Sequence, residues 1–482
     1  MKNVMNCIWN LMKLSAFIFP LSVFVSCSQE EFLPQETTTL QFVVGDFPAF
    51  QNSSPKLGEV PQAEGSVLTR AIGTQDEGKT AWANEDKILV HLYSQKYGDQ
   101  AVTLTFDAEN NTWESDGGTL SYLENETPTI TAVYAPDCEI KSDKTIGLLE
   151  GKQYGEAEYI LARTTISENS LDINFESGRT YSRLRIAGLA NQTLTVTTTD
   201  FTPAGANNSS PESGEEPQAE GSVTYTLTTD NNGNAFLYGV FAEGATVSVK
   251  QGDITLKDYT FSAEKNPNGT EYNKSYALDA TPVIDGTLGG KTEATEDDIT
   301  ALVEQLKEYV DNGITTIIVP GSKSAIIEVD GIVLPAVSEA IYRLSKDESY
   351  NGKIDLVLPD VTEIVAMEFY AAFALNSITL PKVTTVGDGA FTGCYYLKKM
   401  TFGSVVTSIN QSNSYVFYEV GKEVDGGSCD LVLNCGQLQT EDTYKPDLEN
   451  NVWFKPSWGG NVTWKSITLT HTGECDECKA NQ

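Results

Sequence analysis

The sequence has little of what catalysis and nucleic-acid binding use. Two histidines in 482 residues, His91 and His471, leave almost no side chain that titrates near neutrality. No Gly-x-Ser-x-Gly elbow, phosphate loop or His-Glu-x-x-His helix occurs. Bases are scarce too: 32 Lys and Arg, six of them arginine, stand against 67 Asp and Glu, for a net charge of −35. Such a surface repels phosphate backbones and anionic lipid heads, which argues against nucleic-acid partners. The charge-free stretch 14–26 has 13 residues, short of the ~20 that a membrane helix needs. With 67 carboxylates, neighbouring acids carry no catalytic signal and read as solvated faces. His91 alternates with Leu89 and Tyr93 and reads as a packed or rim residue. The expectation is a protein that is not an enzyme and uses no cofactor.

What is present begins with a leader. Lys2 and Lys13 precede or flank the apolar stretch, which has the length of a secretory signal's hydrophobic segment and ends in small residues. Phe24-Val25-Ser26-Cys27 resembles the lipobox of bacterial lipoproteins, with Phe24 where leucine is usual. The resemblance implies a lipoprotein signal peptide over residues 1–27 and a Cys27 carrying palmitate-type acyl chains. It also implies a lipid-anchored place on the outer membrane, exposed at the cell surface, with the anchor as the only membrane contact. More than one acyl chain is needed for durable anchoring. The alternative is ordinary secretion with an incidental cysteine.

Residues 37–280 read as short strands. TLQFVV places Leu40, Phe42 and Val44 on one face, and KILVHLYS, AVTLTFDA, TITAVYAP, LDINFES and ATVSVK follow, broken by Asn-Asn, Gly-Gly, Pro-Asp and Asn-Gly signals. Strands this short and frequent point to sandwiches rather than a parallel α/β sheet. AWANEDKILVHLYS resembles the Trp-x-x-x-Asp-x-Ile start of the fimbrillin-like surface lipoproteins of anaerobic Gram-negative bacteria. TITAVYAP, INFESGRTYSRLRI, AFLYGVFAEGATVSVK and EYNKSYALDA resemble later motifs of that family, in the family's order. The likeness spans about residues 37–282. It implies a mainly β chain with two transthyretin-like β-sandwich domains, 28–182 and 183–282, and a role in fimbriae or adhesion.

A sixteen-residue segment recurs within this region. NSSPKLGEVPQAEGSV (52–67) returns as NSSPESGEEPQAEGSV (208–223), with 13 of 16 positions identical. Its composition cannot bury enough apolar surface to offset ordering, so both copies read as mobile loops. Arg70-Ala71 follows the first copy. In the family that the motifs resemble, an arginine-directed cut before alanine releases the first strand so that another subunit's strand can replace it. The resemblance therefore makes Arg70 and Ala71 a candidate processing site and fimbrial subunits candidate partners by donor-strand exchange. An exposed loop arginine is the plainer alternative.

Beyond a Gly/Asp/Thr-rich linker at 283–294, the period changes. Ile299, Leu302, Val303, Leu306 and Val310 form the stripe of an amphipathic helix, with Thr295 placed to cap its start and Gly313 its end. A strand, ITTIIVP, and a second helix with Val337, Ala340, Ile341 and Leu344 on one face come next. LPDVTEIVAMEFYAAFALNSIT (358–379) then aligns without gaps on LPKVTTVGDGAFTGCYYLKKMT (380–401), a period of 22. Leu358 aligns with Leu380, Phe369 with Phe391, Leu375 with Leu397 and Ala372 with Cys394. Units of this length cannot bury their own apolar face and must stack. The pattern resembles the BspA-like class of leucine-rich repeats. It implies that residues 295–482 form a short α/β leucine-rich-repeat solenoid with a helical N-terminal cap and with Leu358, Phe369, Leu375, Leu380, Phe391 and Leu397 in its core.

Six cysteines follow Cys27, an even number that permits disulfides without forming a framework over so long a chain. In the tail HTGECDECK, His471, Cys475 and Cys478 offer three soft ligands, one fewer than a closed zinc site needs. Disulfide or free thiols, a metal and redox chemistry all remain open there. The functional expectation is a lipid-anchored adhesin, an accessory or tip-like fimbrial component whose repeats bind a glycan or a host or bacterial surface protein. The alternative is a monomeric surface receptor for such ligands, without pilus assembly.

Overall fold

The computed structural model describes residues 37–52, 79–123, 125–175, 179–205, 221–262, 269–409, 416–424, 429–434 and 464–470. It is mainly β, with two α-helices among those residues, and three apolar cores follow one another along the chain.

The first core lies between two sheets. One is five-stranded, in the order Ile160–Leu161, Thr129–Tyr134, Lys87–Ser94, Gly98–Asp107 and Thr112–Ser115. The other has three strands, Arg163–Ser167, Ser170–Asn174 and Gln41–Val44. Period-two patterning sets the faces: Val102 and Leu104 point into the core along one strand, and Leu171 and Ile173 join them from the other sheet. TLQFVV is not one strand. The chain breaks at Leu40: Thr39 ends the strand Thr37–Thr39, which pairs with Ser121–Leu123, and Gln41–Val44 is a separate strand.

The second core is likewise enclosed by two sheets. Phe201–Pro203, Asn234–Phe241, Ser182–Ala187 and Lys274–Asp279 form one, closed at its far edge by Gln51–Asn52. Val223–Thr228, Thr193–Thr198, Thr246–Gln251 and Ile254–Thr260 form the other. An Asp-Asn-Asn-Gly turn starts the long strand Asn234–Phe241: the Asp230 carboxylate accepts from the amides of Asn232 (2.8 Å) and Asn234 (2.9 Å). Gly233 then takes φ 78° with its Cα against the Gly188 carbonyl, where a Cβ would come within 2.3 Å.

The segment 283–294, read above as a linker, is folded into the third unit. Val283 bridges to Ile318 and Glu293 to Ile326, and Ile284 is fully buried. Helix α1 (Glu296–Asp311) starts with a reciprocal capping box between Thr295 and Asp298 and buries Ile299, Leu302 and Leu306. Asn312 is its C-cap, and Gly313 follows at φ 76°. Helix α2 (Ala336–Lys346) begins after Pro335 and buries Val337, Ala340, Ile341 and Leu344.

A six-stranded parallel sheet completes the unit, in the order Thr316–Ile318, Ile354–Val357, Leu375–Leu380, Lys399–Phe402, Asp430–Asn434 and Ser466–Thr470. Asp355 and Ser377 sit 22 residues apart on adjacent strands, with the Ser377 hydroxyl donating to the Asp355 carboxylate at 2.6 Å. The last coil is longer, since Ser466 lies 36 residues after its neighbour Asp430. A second, narrow parallel ladder joins Glu363–Ile364, Thr385–Val386 and Ser408–Ile409. Successive coils touch closely at Gly387, where a Cβ would come within 2.4 Å of the Ala366 amide nitrogen.

Candidate functional site: a covered strand edge and a repeat face

Residues 37–52 connect two units. Gln41–Val44 runs parallel to Ser170–Asn174 at the edge of the first unit's smaller sheet, and Gln51–Asn52 runs parallel to Lys274–Asp279 at the edge of the second unit's larger one. Both edges would otherwise present unpaired amides and carbonyls. Leu40 is 5% exposed and Val43 54%, so this ribbon has one inward and one outward face.

Aromatic rings pin the ribbon. The Trp82 indole donates to the Gly45 carbonyl at 2.8 Å, and its ring meets Phe47 edge-on at 5.0 Å. Asp86 accepts from the Ala83 amide at 2.6 Å and pairs with Lys79, so the Trp-x-x-x-Asp-x-Ile motif is a folded clasp. Lys79 lies over the Phe47 and Tyr134 rings at 4.8 Å from each centre. Burial, and then the Asp86 charge, hold the Tyr134 phenol well above its ordinary pKa. Farther along, the Phe50 ring lies between two buried arginines, Arg179 at 3.5 Å and Arg183 at 5.0 Å.

Arg179 Nη1 approaches Glu158 Oε1 at 3.1 Å, yet none of the three guanidinium nitrogens makes an aligned hydrogen bond. The pair is a close charge contact that lacks the hydrogen-bonded fork of a good buried ion pair. Burial pushes the Glu158 carboxyl up, opposed by the charges of Arg179, Arg183 and Lys79.

In the third unit, Leu358, Phe369, Leu375, Leu380, Phe391 and Leu397 are all buried in one core. Phe369 stacks on Phe391 at 5.6 Å and Phe391 on Phe417 at 6.0 Å, a column with one ring from each coil. Cys394 fits between coils as a small apolar residue, its thiol donating to the Phe369 carbonyl at 3.0 Å. Burial pushes that thiol up to about 12, and Cys138, Cys394 and Cys429 are all free thiols.

A cleft of about 570 Å³ opens between α2 and the first coil, walled by Val319, Ile326, Val337, Leu358 and Val361, with Lys323 among its lining residues. Glu368, also among its lining residues, is buried, with Ser338 donating to one carboxylate oxygen at 3.0 Å and the Val365 amide to the other at 2.8 Å. Burial pushes this carboxyl up to about 7. On the sheet's flank, Phe373 stacks on Tyr395 at 5.1 Å and lysines approach the neighbouring rings.

Cys27, Arg70 and Ala71 lie outside the described residues, as do His471, Cys475 and Cys478. Both copies of the repeated loop fall almost wholly outside them as well. Among the described residues no three His, Cys, Asp or Glu side chains gather to hold a metal ion, and no helix is long and apolar enough to cross a membrane. His91 pairs with Asp99 at 2.9 Å on the flank of its strand. Sequence reasoning missed the Arg179–Phe50–Arg183 stack, Glu368 and the lysine–aromatic flank. For the first, two arginines four residues apart in a chain with only six were the available signal.

A search among curated proteins finds no match. Among solved structures, a candidate cell adhesion protein from Bacteroides fragilis NCTC 9343 is similar over 50% of this chain and 92% of its own, at 12% identity and a TM-score of 0.24. Another from Bacteroides ovatus ATCC 8483 is similar over 42% of this chain and 83% of its own, at 14% identity and a TM-score of 0.21. A fimbrial protein from the same strain covers 42% of this chain and 45% of its own, at 8% identity and a TM-score of 0.21. TM-scores of this size do not establish a shared fold. The family model of the BspA type leucine rich repeat region matches residues 356–422, in six copies. Those residues are the stacked coils described above. Behind two β units, the chain carries a BspA type leucine rich repeat region.

Proposed function

We propose that this chain is a lipid-anchored adhesin of the bacterial cell surface, an accessory or tip-like fimbrial component whose repeats form the binding module. The observation that carries the reading is the BspA type repeat region stacked into a parallel sheet after two β units. Solenoids of stacked coils offer extended surfaces for partners. In this reading the two β units are transthyretin-like sandwiches, the third unit is a leucine-rich solenoid, and no catalytic step or cofactor is involved. Strand exchange is supported by the ribbon 37–52, which occupies an edge of both β units. An incoming strand would pair on those edges once the ribbon left, after a cut at Arg70-Ala71.

The pinning of Phe47 and Phe50 by Trp82, Arg179 and Arg183 favours a second reading, a monomeric surface receptor whose ribbon never leaves. One experiment on native cells separates the two. The fimbrial reading expects mature chains starting at Ala71, high-mass ladders that resist SDS, and a mutant lacking the protein that adheres poorly. Chains starting only at Cys27, running as monomers, would leave the receptor. Labelled palmitate should enter wild type and not Cys27→Ala; equal labelling removes the anchor from the proposal.

A further inference from the structure

The geometry points to the lysine–aromatic flank of the repeat unit as a binding site for anionic carbohydrate. The inference deepens the adhesive reading above and rests on it for its biological meaning.

The flank lies at the corner where each coil turns into its strand of the parallel sheet, next to the end of α2. Phe373 and Tyr395, one coil apart, stack at 5.1 Å and 23°. Tyr396 meets Phe373 edge-on at 6.4 Å. Lys353 Nζ sits 4.0 Å from the centre of the Tyr396 ring and donates to the Phe373 carbonyl at 2.8 Å. Lys346 Nζ, from the last turn of α2, sits 5.2 Å from the Phe373 ring. Tyr370 and Tyr396 are 41% and 38% exposed, large rings left in water although the core is already filled by the phenylalanine column.

The charge is unusual for this chain. Against a net −35, Lys346, Lys353 and Lys398 gather here, and none belongs to an ion pair among the described residues. Burial, and then the neighbouring Lys398, push the Lys353 ammonium down from its ordinary value. Cations that repel one another at a fixed corner favour an anion between them. Glu419 bounds the site on its far side, where it holds the Tyr395 hydroxyl at 2.9 Å and pairs with Lys422 at 2.7 Å.

Anionic carbohydrate satisfies both halves of the surface. The C–H face of a pyranose packs on an exposed tyrosine ring, while its carboxylate or sulfate meets lysines that carry no carboxylate partner among the described residues. An acidic peptide would use the lysines and leave the rings in water. Lys346 and Lys353 are ordered in advance by their contacts with the rings and, for Lys353, with the Phe373 carbonyl, which lowers the entropy lost on binding.

The test is calorimetric titration of the full mature chain with hyaluronate oligosaccharides, neutral cello-oligosaccharides and poly-glutamate. Hyaluronate should bind, more weakly as sodium chloride rises from about 50 to about 300 mM, and the neutral and peptide probes should not. Tyr396→Ala and the Lys346→Glu/Lys398→Glu pair should each weaken hyaluronate binding by at least about tenfold. Their melting profiles should match wild type; if a variant unfolds, Lys398→Gln with Tyr396→Phe supplies the milder comparison, in which only the charge change weakens binding. Poly-glutamate binding in place of hyaluronate, or hyaluronate binding that ignores these substitutions, overturns the inference. Failure of the adhesive reading looks different. The purified chain would still bind hyaluronate, while cells lacking the protein adhered to hyaluronate-coated surfaces as well as their parent.

Discussion

The guanidinium carbon of Arg179 lies 3.5 Å from the centre of the Phe50 ring, inside the protein and with Glu158 alongside. A buried cation is expensive unless paired, and here the pair is a close carboxylate plus an aromatic face rather than a hydrogen-bonded fork. Phe50 belongs to the ribbon that covers the β-unit edges, and Arg179 leads into the strand Ser182–Ala187. The contact therefore ties the end of the ribbon to the junction of the two units.

Removing the ring should free the ribbon. Phe50→Ala is expected to cost about 3–5 kcal/mol in local stability, as for a buried aromatic truncated to alanine. Amide exchange should accelerate at residues 41–52 and at their partners in Ser170–Asn174 and Lys274–Asp279. The repeat unit, which shares no core residue with Phe50, should keep its protection. Unchanged exchange along the ribbon would mean that Phe50 does not hold it.

Glu368 makes the repeat unit sensitive to pH. Its carboxyl rises from an ordinary 4.5 to about 7 in the folded chain, chiefly through burial. The folded state thus keeps a proton that the unfolded state releases, so this group's effect falls against folding as pH climbs from about 4.5 to about 7. The loss is of the order of 3 kcal/mol across that window, with no contribution below it. Glu368→Gln, which can still accept from Val365, should flatten the dependence in chemical denaturation from pH 4.5 to pH 8. A slope that survives the substitution would place its origin elsewhere in the acidic surface.

Leu397→Ala should cost about 2–5 kcal/mol in the repeat unit by opening a cavity in its core. Its effect should spread in one direction. Ile254 from the second β unit is buried in the repeat core, and the Asp253 amide donates to Asn312 at the end of α1, at 2.7 Å. Domain-resolved melting should show the second unit losing some stability with the third while the first is unmoved. A first-unit transition that shifts with Leu397→Ala would contradict the separation of the cores.

Cys394 should be inert. Its thiol is buried and held up to about 12 by that burial, so thiolate is absent at ordinary pH. Iodoacetamide at pH 8 should leave it unmodified in the native chain and modify it on denaturation, as mass spectrometry of the 391–397 peptide would show. Rapid native labelling would mean that the coils open readily there.

Much of the architecture was legible because it repeats locally. The stripe from Ile299 to Val310 became α1 with the cap expected at Thr295, and the 22-residue spacing of Phe369 and Phe391 became a ring stack. The segment 283–294 was misread as a linker because its three glycines and Asp285 look like loop chemistry, while a few apolar residues, Ile284, Leu288 and Ala294, pack on the third core without any period. TLQFVV was read as one strand because alternation records which face a residue takes and is silent on a change of partner at Leu40.

The sequence by itself determined the periods: two in the β units, about 3.6 in the helices and 22 in the repeats, each a consequence of how backbone geometry spaces side chains on a buried face. Only the tertiary structure decided that residues 37–52 cover edges of both β units, that Arg179 and Arg183 flank Phe50, and that Lys346, Lys353 and Tyr396 share a corner. The first two join residues more than a hundred positions apart, and the third joins a helix end to two coils. Their energies come from burial and charge proximity after folding, so no local pattern in the chain announces them.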